Sequence, residues 1–331
     1  MTATQRLRSL LALGVVRGVI YSVDLDDGSC RILHRGVGPF PDGVQVLGET
    51  IFWTTMGQPR PDVSGGLTTV GRVLRDGDGP VQALKSVAEG ASNYSHPNGG
   101  VHAIGIDGTN QRTLTAPGTV VTGKQLASDG RGWLYLGDRE GCRVSRVRTD
   151  GTDLQHLVVN DPAEGESARC VGVAVDPDHG KLYWTQKGPA KGGLGQIFRV
   201  DLELAPGETP QQRTTKELLW NGLPEPIDLE VHGDWLYWTD RGAPPTGNTL
   251  NRAPLPGPGE RGGTPEILAD GFNEAIGLAV DTAAAAVYVS DLGGHIYAVD
   301  LPGGEGQSRA KRLVADVGTP VSGIVGLSYR V

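Results

Sequence analysis

The feature that most constrains this chain is a five-residue phrase that recurs along it. It reads Ile51-Phe52-Trp53-Thr54-Thr55, Leu134-Tyr135-Leu136-Gly137-Asp138, Leu182-Tyr183-Trp184-Thr185-Gln186, Leu236-Tyr237-Trp238-Thr239-Asp240 and Val287-Tyr288-Val289-Ser290-Asp291. Aromatic and β-branched residues make each copy a strand. About ten residues upstream lies a second short strand that opens with a small turn residue: Gly43-Val44, Gly123-Lys124, Gly172-Val173, Asp228-Leu229 and Gly277-Leu278. A third strand follows, clearest at Gln196 to Leu202 and His295 to Leu301, then in several copies a tight turn and a fourth strand. Asp27-Gly28, Asp107-Gly108 and Asp150-Gly151 supply those turns, because glycine accepts the positive φ that a short hairpin demands.

Four strands repeating at a spacing of roughly 50 residues form the pattern of a propeller blade. Five copies are complete and the chain ends supply a sixth. Val321-Ser322-Gly323-Ile324 opens like an innermost strand, while 9–16, 19–25 and 30–33 read as the other three. Pairing the two termini closes the ring and removes the edges an open sheet would expose. The expectation is therefore an all-β, six-bladed β-propeller of four-stranded antiparallel blades, one domain over residues 1–331. The 51 glycines and 22 prolines suit many short strands joined by tight turns.

Several classes are excluded. No run approaches the roughly 18 to 20 apolar residues of a membrane-spanning helix. Acidic residues outnumber basic ones by 38 to 30, for a net charge of −8, and the cations are scattered, so nucleic acid is not an expected partner. Cys30, Cys142 and Cys170 are too few and too widely spaced for a disulfide framework or a zinc site. They read as free thiols in a reducing compartment. Arg6 and Arg8 ahead of the apolar stretch 9–16 faintly resemble a secretory leader, but Arg17 interrupts it, no small-residue cleavage site follows, and a strand is needed there. Asn93-Tyr94-Ser95 is a lone glycosylation tripeptide. A cytoplasmic monomer is expected.

The phrases resemble the YWTD repeat of the low-density-lipoprotein-receptor class, whose members are six-bladed propellers. Only Leu236 to Asp240 carries the full signature; Trp53, Trp184 and Trp238 keep the tryptophan, and Asp138, Asp240 and Asp291 keep the final aspartate. The receptor members are extracellular and flanked by cysteine-rich modules not seen here. In its architecture and lack of such modules the chain is similar to a stand-alone fungal group that includes hetero-Diels-Alderases of tropolone-sesquiterpenoid biosynthesis. That resemblance implies a cofactor-independent pericyclic cyclase acting on a tropolone-derived quinone methide and a humulene-type polyene. Its partner would be a small apolar, polyketide- or terpenoid-like substrate.

In a propeller, the loops entering each innermost strand share one face with those joining second to third strands, and binding usually occurs there. One such connection, Gln58 to Asn98, is 41 residues long, whereas structureless loops beyond about 12 to 15 residues are usually functional or disordered. It reads either as a partly ordered lid, with a strand at Leu67 to Leu74 and a short helix at Val81 to Ala91, or as a solvated elaboration. Near its end Tyr94 and His96 offer proton-transfer groups, although His96 reads equally as an exposed loop histidine.

Departures from the repeat add further candidates. Lys124 stands where the other blades have Val44, Val173, Leu229, Leu278 and Ile324, and Asp228 stands where they have glycine. Lys124 either serves a site or snorkels into channel water; Asp228 either serves a site or caps a turn. Lys124→Leu is expected to be tolerated or stabilising. Just upstream, Asp42, Arg169, Glu225 and Glu274 would surround the opening, as general acids or bases or as a rim ion pair between Arg169 and a glutamate.

The expected catalytic set is thus Lys124, Asp228, Glu225, Glu274, His96 and Tyr94. Asp42, Thr122, Arg169, Trp53 and His295 would contact substrate. Cys170 has no histidine that the sequence places beside it. Asp24 to Gly28 fails as a calcium loop for want of the terminal glutamate, and Gly192 to Gly195 has neither the spacing nor the following helix of a nucleotide fingerprint. No metal and no cofactor are expected. A protein-binding platform and a lactone hydrolase remain as alternatives to the cyclase.

Overall fold

A computed structural model of the chain describes residues 5–59, 93–302 and 310–331. The expected strand at Leu67 to Leu74 and helix at Val81 to Ala91 lie outside the described residues.

The described residues form six four-stranded antiparallel sheets, one per blade. The first blade contains β1 (Ser9–Gly14), β2 (Val19–Asp24) and β3 (Cys30–Arg35). The second contains β4 (Pro41–Leu47), β5 (Thr50–Thr55), β6 (Gly100–Gly105) and β7 (Arg112–Thr113). The third runs through β8 (Gly123–Ser128), β9 (Trp133–Asp138), β10 (Arg143–Arg148) and β11 (Gln155–Val159). A short 3₁₀ helix, Pro162–Ala168, leads into the fourth, with β12 (Cys170–Asp176), β13 (Lys181–Gln186), β14 (Gly195–Asp201) and β15 (Glu217–Leu223). The fifth has β16 (Pro226–His232), β17 (Trp235–Asp240), β18 (Thr249–Pro254) and β19 (Glu266–Ala269). The sixth has β20 (Ala275–Asp281), β21 (Ala286–Asp291), β22 (His295–Asp300) and β23 (Lys311–Asp316). Finally β24 (Val321–Leu327) pairs with β1 as the innermost strand of the first blade. The termini therefore close the ring as the sequence predicts.

The recurring phrase explains how the blades stack. Alternate side chains of a strand point to opposite faces, so its second and third residues serve different neighbours. Phe52, Tyr135, Tyr183, Tyr237 and Tyr288 pack towards the following blade, while Trp53, Trp184 and Trp238 pack towards the preceding one. Six apolar clusters result, each filling one gap between consecutive blades.

The fourth residue of the phrase stitches blades together. Thr185 Oγ1 accepts from Gly172 N at 2.7 Å in its own blade and donates to Ile227 O at 2.8 Å in the next. Thr54, Thr239 and Ser290 repeat the arrangement. At two of these positions close approach of the backbones leaves room only for glycine: a Cβ on Gly172 would lie 2.1 Å from Ile227 O, and one on Gly323 would lie 2.3 Å from Asp42 O. The final aspartate has a local duty, since Asp240 accepts from the N–H groups of Glu225 and Gly242 and so holds the chain entering β16. Among the described residues no helix is long and apolar enough to cross a membrane.

Candidate functional site

The strand registers correct the sequence alignment of the third blade. Val44 faces Trp53, Val173 faces Trp184, Leu229 faces Trp238, Leu278 faces Val289 and Ile324 faces Ala12. In the third blade the partner of Leu136 is Leu126, not Lys124. Lys124 thus shares its position with Asp42, Val171, Ile227, Ile276 and Ser322. Gly43, Gly172, Gly277 and Gly323 align with Gln125 and Asp228, so two blades rather than one replace the glycine. Gly123 misled the comparison by lying two residues upstream.

With the register settled, the opening of the channel is built from three tiers. The upper tier is the residue that follows each second strand: Val15, Met56, Arg139, Lys187, Arg241 and Leu292. Its backbone N–H donates to the residue entering the innermost strand, as in Met56 N to Phe40 O at 2.9 Å, Arg139 N to Thr122 O at 3.1 Å and Arg241 N to Glu225 O at 3.0 Å. Val15 N to Pro320 O and Leu292 N to Glu274 O repeat it. Those acceptors form the second tier, which Arg169 completes by position. The third is the Lys124 position.

The mouth is divided. On one side Val15, Phe40, Met56 and Tyr94 form a buried apolar cluster flanked by Val16 and Leu292. Phe40 meets Tyr94 edge to face, with centroids 5.8 Å apart. Below, Val171, Ile227 and Ile276 form a small apolar floor that also touches Leu292. On the other side three consecutive blades contribute Arg139, Lys187 and Arg241, all buried.

Each cation is held by carboxylates. Arg241 Nη2 donates to Glu225 Oε1 at 2.6 Å and Lys187 Nζ reaches the same oxygen at 3.2 Å, while the backbone N–H of Lys191 takes the other oxygen at 3.0 Å. Glu274 bridges Lys191 Nζ at 2.9 Å and Arg241 Nε at 3.6 Å. Arg139 Nε lies 2.8 and 2.9 Å from the two oxygens of Glu140. Arg169 pairs with Glu166 at 2.5 Å and stands 4.0 Å from Glu140. Lys124 is ion-paired with Asp42, whose other oxygen accepts from Gln125 at 3.2 Å.

Burial decides the protonation balance. It pulls the Lys187 amine down to about 8; Glu225 opposes this and Arg241 and Arg139 reinforce it. Burial lowers Lys124 too, against the support of Asp42. Burial would raise Glu225, but Arg241 and Lys187 outweigh it and hold the carboxyl below its ordinary value. The Tyr94 hydroxyl is pushed up by burial. It has no hydrogen-bond partner among the described residues, although the Arg139 guanidinium sits 5.5 Å from its ring centroid.

Asp228 belongs elsewhere. It lies below the mouth with Glu230, Gln45 and Gln125 on the wall of a channel cavity of about 180 Å³. Its oxygens accept from Leu229 N at 3.0 Å and Leu278 N at 3.3 Å, and Glu230 accepts from Val280 N at 3.1 Å. These carboxylates satisfy the channel-facing edge of β20, and burial with mutual repulsion raises Asp228 well above the usual carboxylate range.

The other sequence candidates divide as well. Thr122 reaches the mouth and donates its hydroxyl to Tyr94 O at 3.0 Å. Trp53 does not: it is sealed between the first two blades, donates Nε1–H to Val37 O at 2.7 Å and stacks on His102. His295 is a third exposed at the start of β22, 3.4 Å from Asp291. His96 is exposed. Cys170 is fully buried, and burial drives its thiol far up, which leaves it inert as a nucleophile. Two larger surface clefts, of about 760 and 600 Å³, open at the turns of the opposite face. Sequence reasoning missed Met56, Arg139, Lys187 and Arg241. The signal was available, because each follows the recurring phrase directly.

Fold and repeat together define a six-bladed propeller of the low-density-lipoprotein-receptor repeat type. The low-density lipoprotein receptor-related protein 1 of Pyricularia oryzae is 40% identical over 306 residues, covering 87% of each chain. The chain belongs to the family of that protein. The 3-hydroxyacyl-CoA dehydrogenase-like protein LAM1 of Cochliobolus heterostrophus is 37% identical over 283 residues, 80% of this chain, which spans about half (52%) of that relative's length. Among solved structures, a chain of a nidogen/laminin complex superposes with a TM-score of 0.62 at 16% identity, covering 97% of this chain and 98% of that one. A putative 6-phosphogluconolactonase from Bacteroides uniformis gives 0.53 at 14% identity, covering 93% and 82%. At such identities the likeness shows the fold alone. No family model matches the chain.

Proposed function

We propose that the protein is a small-molecule enzyme of secondary metabolism whose active site is the channel mouth. Its reaction is a cofactor-independent hetero-Diels–Alder cyclisation between a tropolone-derived quinone methide and a humulene-type polyene. The observation that carries this reading is the division of the mouth: a hydrocarbon wall of Val15, Phe40, Met56 and Leu292 opposite a charged wall of Arg139, Lys187 and Arg241.

A cycloaddition requires two partners held face to face and shielded from water, and well-oriented pairs gain about 7–11 kcal/mol from proximity alone. The hydrocarbon wall would take the polyene, and the charged wall the oxygens of the tropolone. Forming the quinone methide removes water from a hydroxymethyl group, and the leaving oxygen needs a proton. The Lys187 ammonium and the Tyr94 hydroxyl stand at the mouth to supply it. One fungal relative bears an enzyme-like name, which supports this reading, while the other bears a receptor-related name.

The test is to mix the purified protein with a hydroxymethyl-tropolone and humulene and to quantify cycloadducts against a protein-free control. Faster formation of one stereoisomer is expected. Background rate with the background isomer mixture would overturn the assignment.

A further inference from the structure

Arg139 is unlike the other buried arginines. Among the described residues, Arg146, Arg199 and Arg213 spend both terminal nitrogens on carboxylates or backbone carbonyls, and Arg241 spends Nη2 on Glu225. Arg139 donates from Nε alone, to the two oxygens of Glu140 at 2.8 and 2.9 Å. Its Nη1 and Nη2 carry four of the five N–H donors of a guanidinium and have no hydrogen-bond partner among the described residues. The side chain is nine-tenths buried, a setting in which a donor without an acceptor is costly. The cations around it are engaged: Lys187 donates to Glu225 and to Gly188 O, Lys124 meets Asp42 and, at 3.5 Å, the Met56 sulfur, and Arg169 holds Glu166.

Glu140 is itself fixed, with its side chain as buried as that of Arg139 and Arg169 4.0 Å away. It grips the Nε edge and leaves the two-pronged end of the guanidinium at the channel mouth, with Cζ 5.5 Å from the Tyr94 ring centroid. Resting on the reading of the mouth as the substrate site, we propose that Arg139 determines its specificity: Nη1 and Nη2 together grip two coplanar oxygens of one ligand, and Glu140 positions the fork. The ligand is a hydroxyketone such as a tropolone, or a carboxylate, whose paired oxygens match the two parallel N–H bonds a guanidinium offers. A ligand with one oxygen satisfies half of the fork. Tyr94 joins the fork to the apolar cluster of Val15, Phe40 and Met56, so the oxygens sit at one end of an otherwise apolar molecule.

Tropolone, with two adjacent oxygens, and tropone, with one, are the probes, titrated calorimetrically against the parent protein and Arg139→Lys. The parent should bind tropolone at least about tenfold more tightly, the effect of one lost charge-assisted bond. Lysine keeps the charge and can keep the ion pair with Glu140, but it lacks the fork, so Arg139→Lys should bind the two probes within about threefold of each other. Glu140→Ala should lose most of the preference, and Glu140→Gln, which retains an acceptor for Nε–H, should restore part of it. Thermal unfolding checks that each variant is folded.

Equal affinity of the parent for both probes, a preference that survives in Arg139→Lys, or no binding of either probe would each overturn the fork. Benzoate binding more tightly than tropolone would keep it and assign it to a carboxylate in place of a hydroxyketone. A fork-dependent preference without accelerated cycloaddition would keep the subsite and remove the cyclase reading. Accelerated cycloaddition with no loss in Arg139→Lys would do the reverse.

Discussion

Lys124→Met is expected to destabilise the protein severely, although sequence comparison alone predicts that an apolar residue is tolerated there. Asp42 is buried and hydrogen-bonded by Lys124 and Gln125. Removing the ammonium leaves an ionised carboxylate in the wall of the channel with one neutral donor. Breaking a buried ion pair in this way costs about 3–5 kcal/mol. Unfolding entropy of about 2.1 cal/mol/K per residue amounts to about 0.7 kcal/mol/K for this chain, so Tm should fall by about 4–7 °C. The pair is dispensable as a pair, since the fourth, fifth and sixth blades use Val171, Ile227 and Ile276 at the same place. Asp42→Asn combined with Lys124→Met keeps an acceptor for Gln125, and should return stability to within about 1 kcal/mol of the parent. Thermal unfolding of the parent, both single variants and the double variant gives the coupling directly. A Lys124→Met protein as stable as the parent, or a double variant no better than the single one, would refute the reasoning.

Three further outcomes follow from the same geometry. Tyr94→Phe removes a buried hydroxyl without a partner among the described residues, so Tm should hold or rise while cycloadduct formation falls at least about tenfold by loss of a transition-state proton donor; unchanged turnover would take Tyr94 out of the reaction. Thr239→Val orphans the Asp228 N–H and Ile276 O at one inter-blade stitch and should cost about 1–3 kcal/mol in denaturant unfolding, and a smaller loss would show that the stitch is replaceable. Burial raises the Glu230 carboxyl to about 7, so the native state holds a proton that the unfolded chain has released and stability drops as pH climbs from about 4.5 to 7. Glu230→Gln should therefore raise the melting temperature at pH 8 and leave it unchanged at pH 4, and an equal shift at both would rule out this linkage.

The architecture was legible because a blade is written six times. Each copy of the phrase carries two inter-blade packing residues and most carry a stitching hydroxyl, so an aromatic at the second place and a tryptophan at the third already report which neighbour each side chain faces. The reading failed where one copy lost its landmarks. The third blade has Gly137 in place of the stitching threonine, and a Cβ there would lie 2.3 Å from Val171 O. It has Gln125 where four blades have glycine, and Gly123 supplied a false anchor two residues away. Trp53 misled for a different reason: an aromatic in a repeat looks equally fit for packing and for stacking on a ligand, and only the closed ring shows that it faces the preceding blade.

The charged wall was harder still, because its meaning is relational. Arg139, Lys187 and Arg241 each follow an ordinary strand and each looks like a solvated turn residue when taken singly. What groups them is that the ring brings three consecutive blade ends to one side of the channel mouth, while Val15, Met56 and Leu292 occupy the equivalent ends on the other. The carboxylates then act as supports rather than as competing functional groups: Asp42, Glu225 and Glu274, which the sequence offers as general acids or bases, are all engaged by cations, and so is Glu140. A group that titrates near neutral pH is a better proton carrier than one locked in an ion pair. At this mouth the glutamates are locked in ion pairs while burial pulls the Lys187 amine down to about 8, and under the proposed function the asymmetry between the two walls would orient one polar and one apolar reactant.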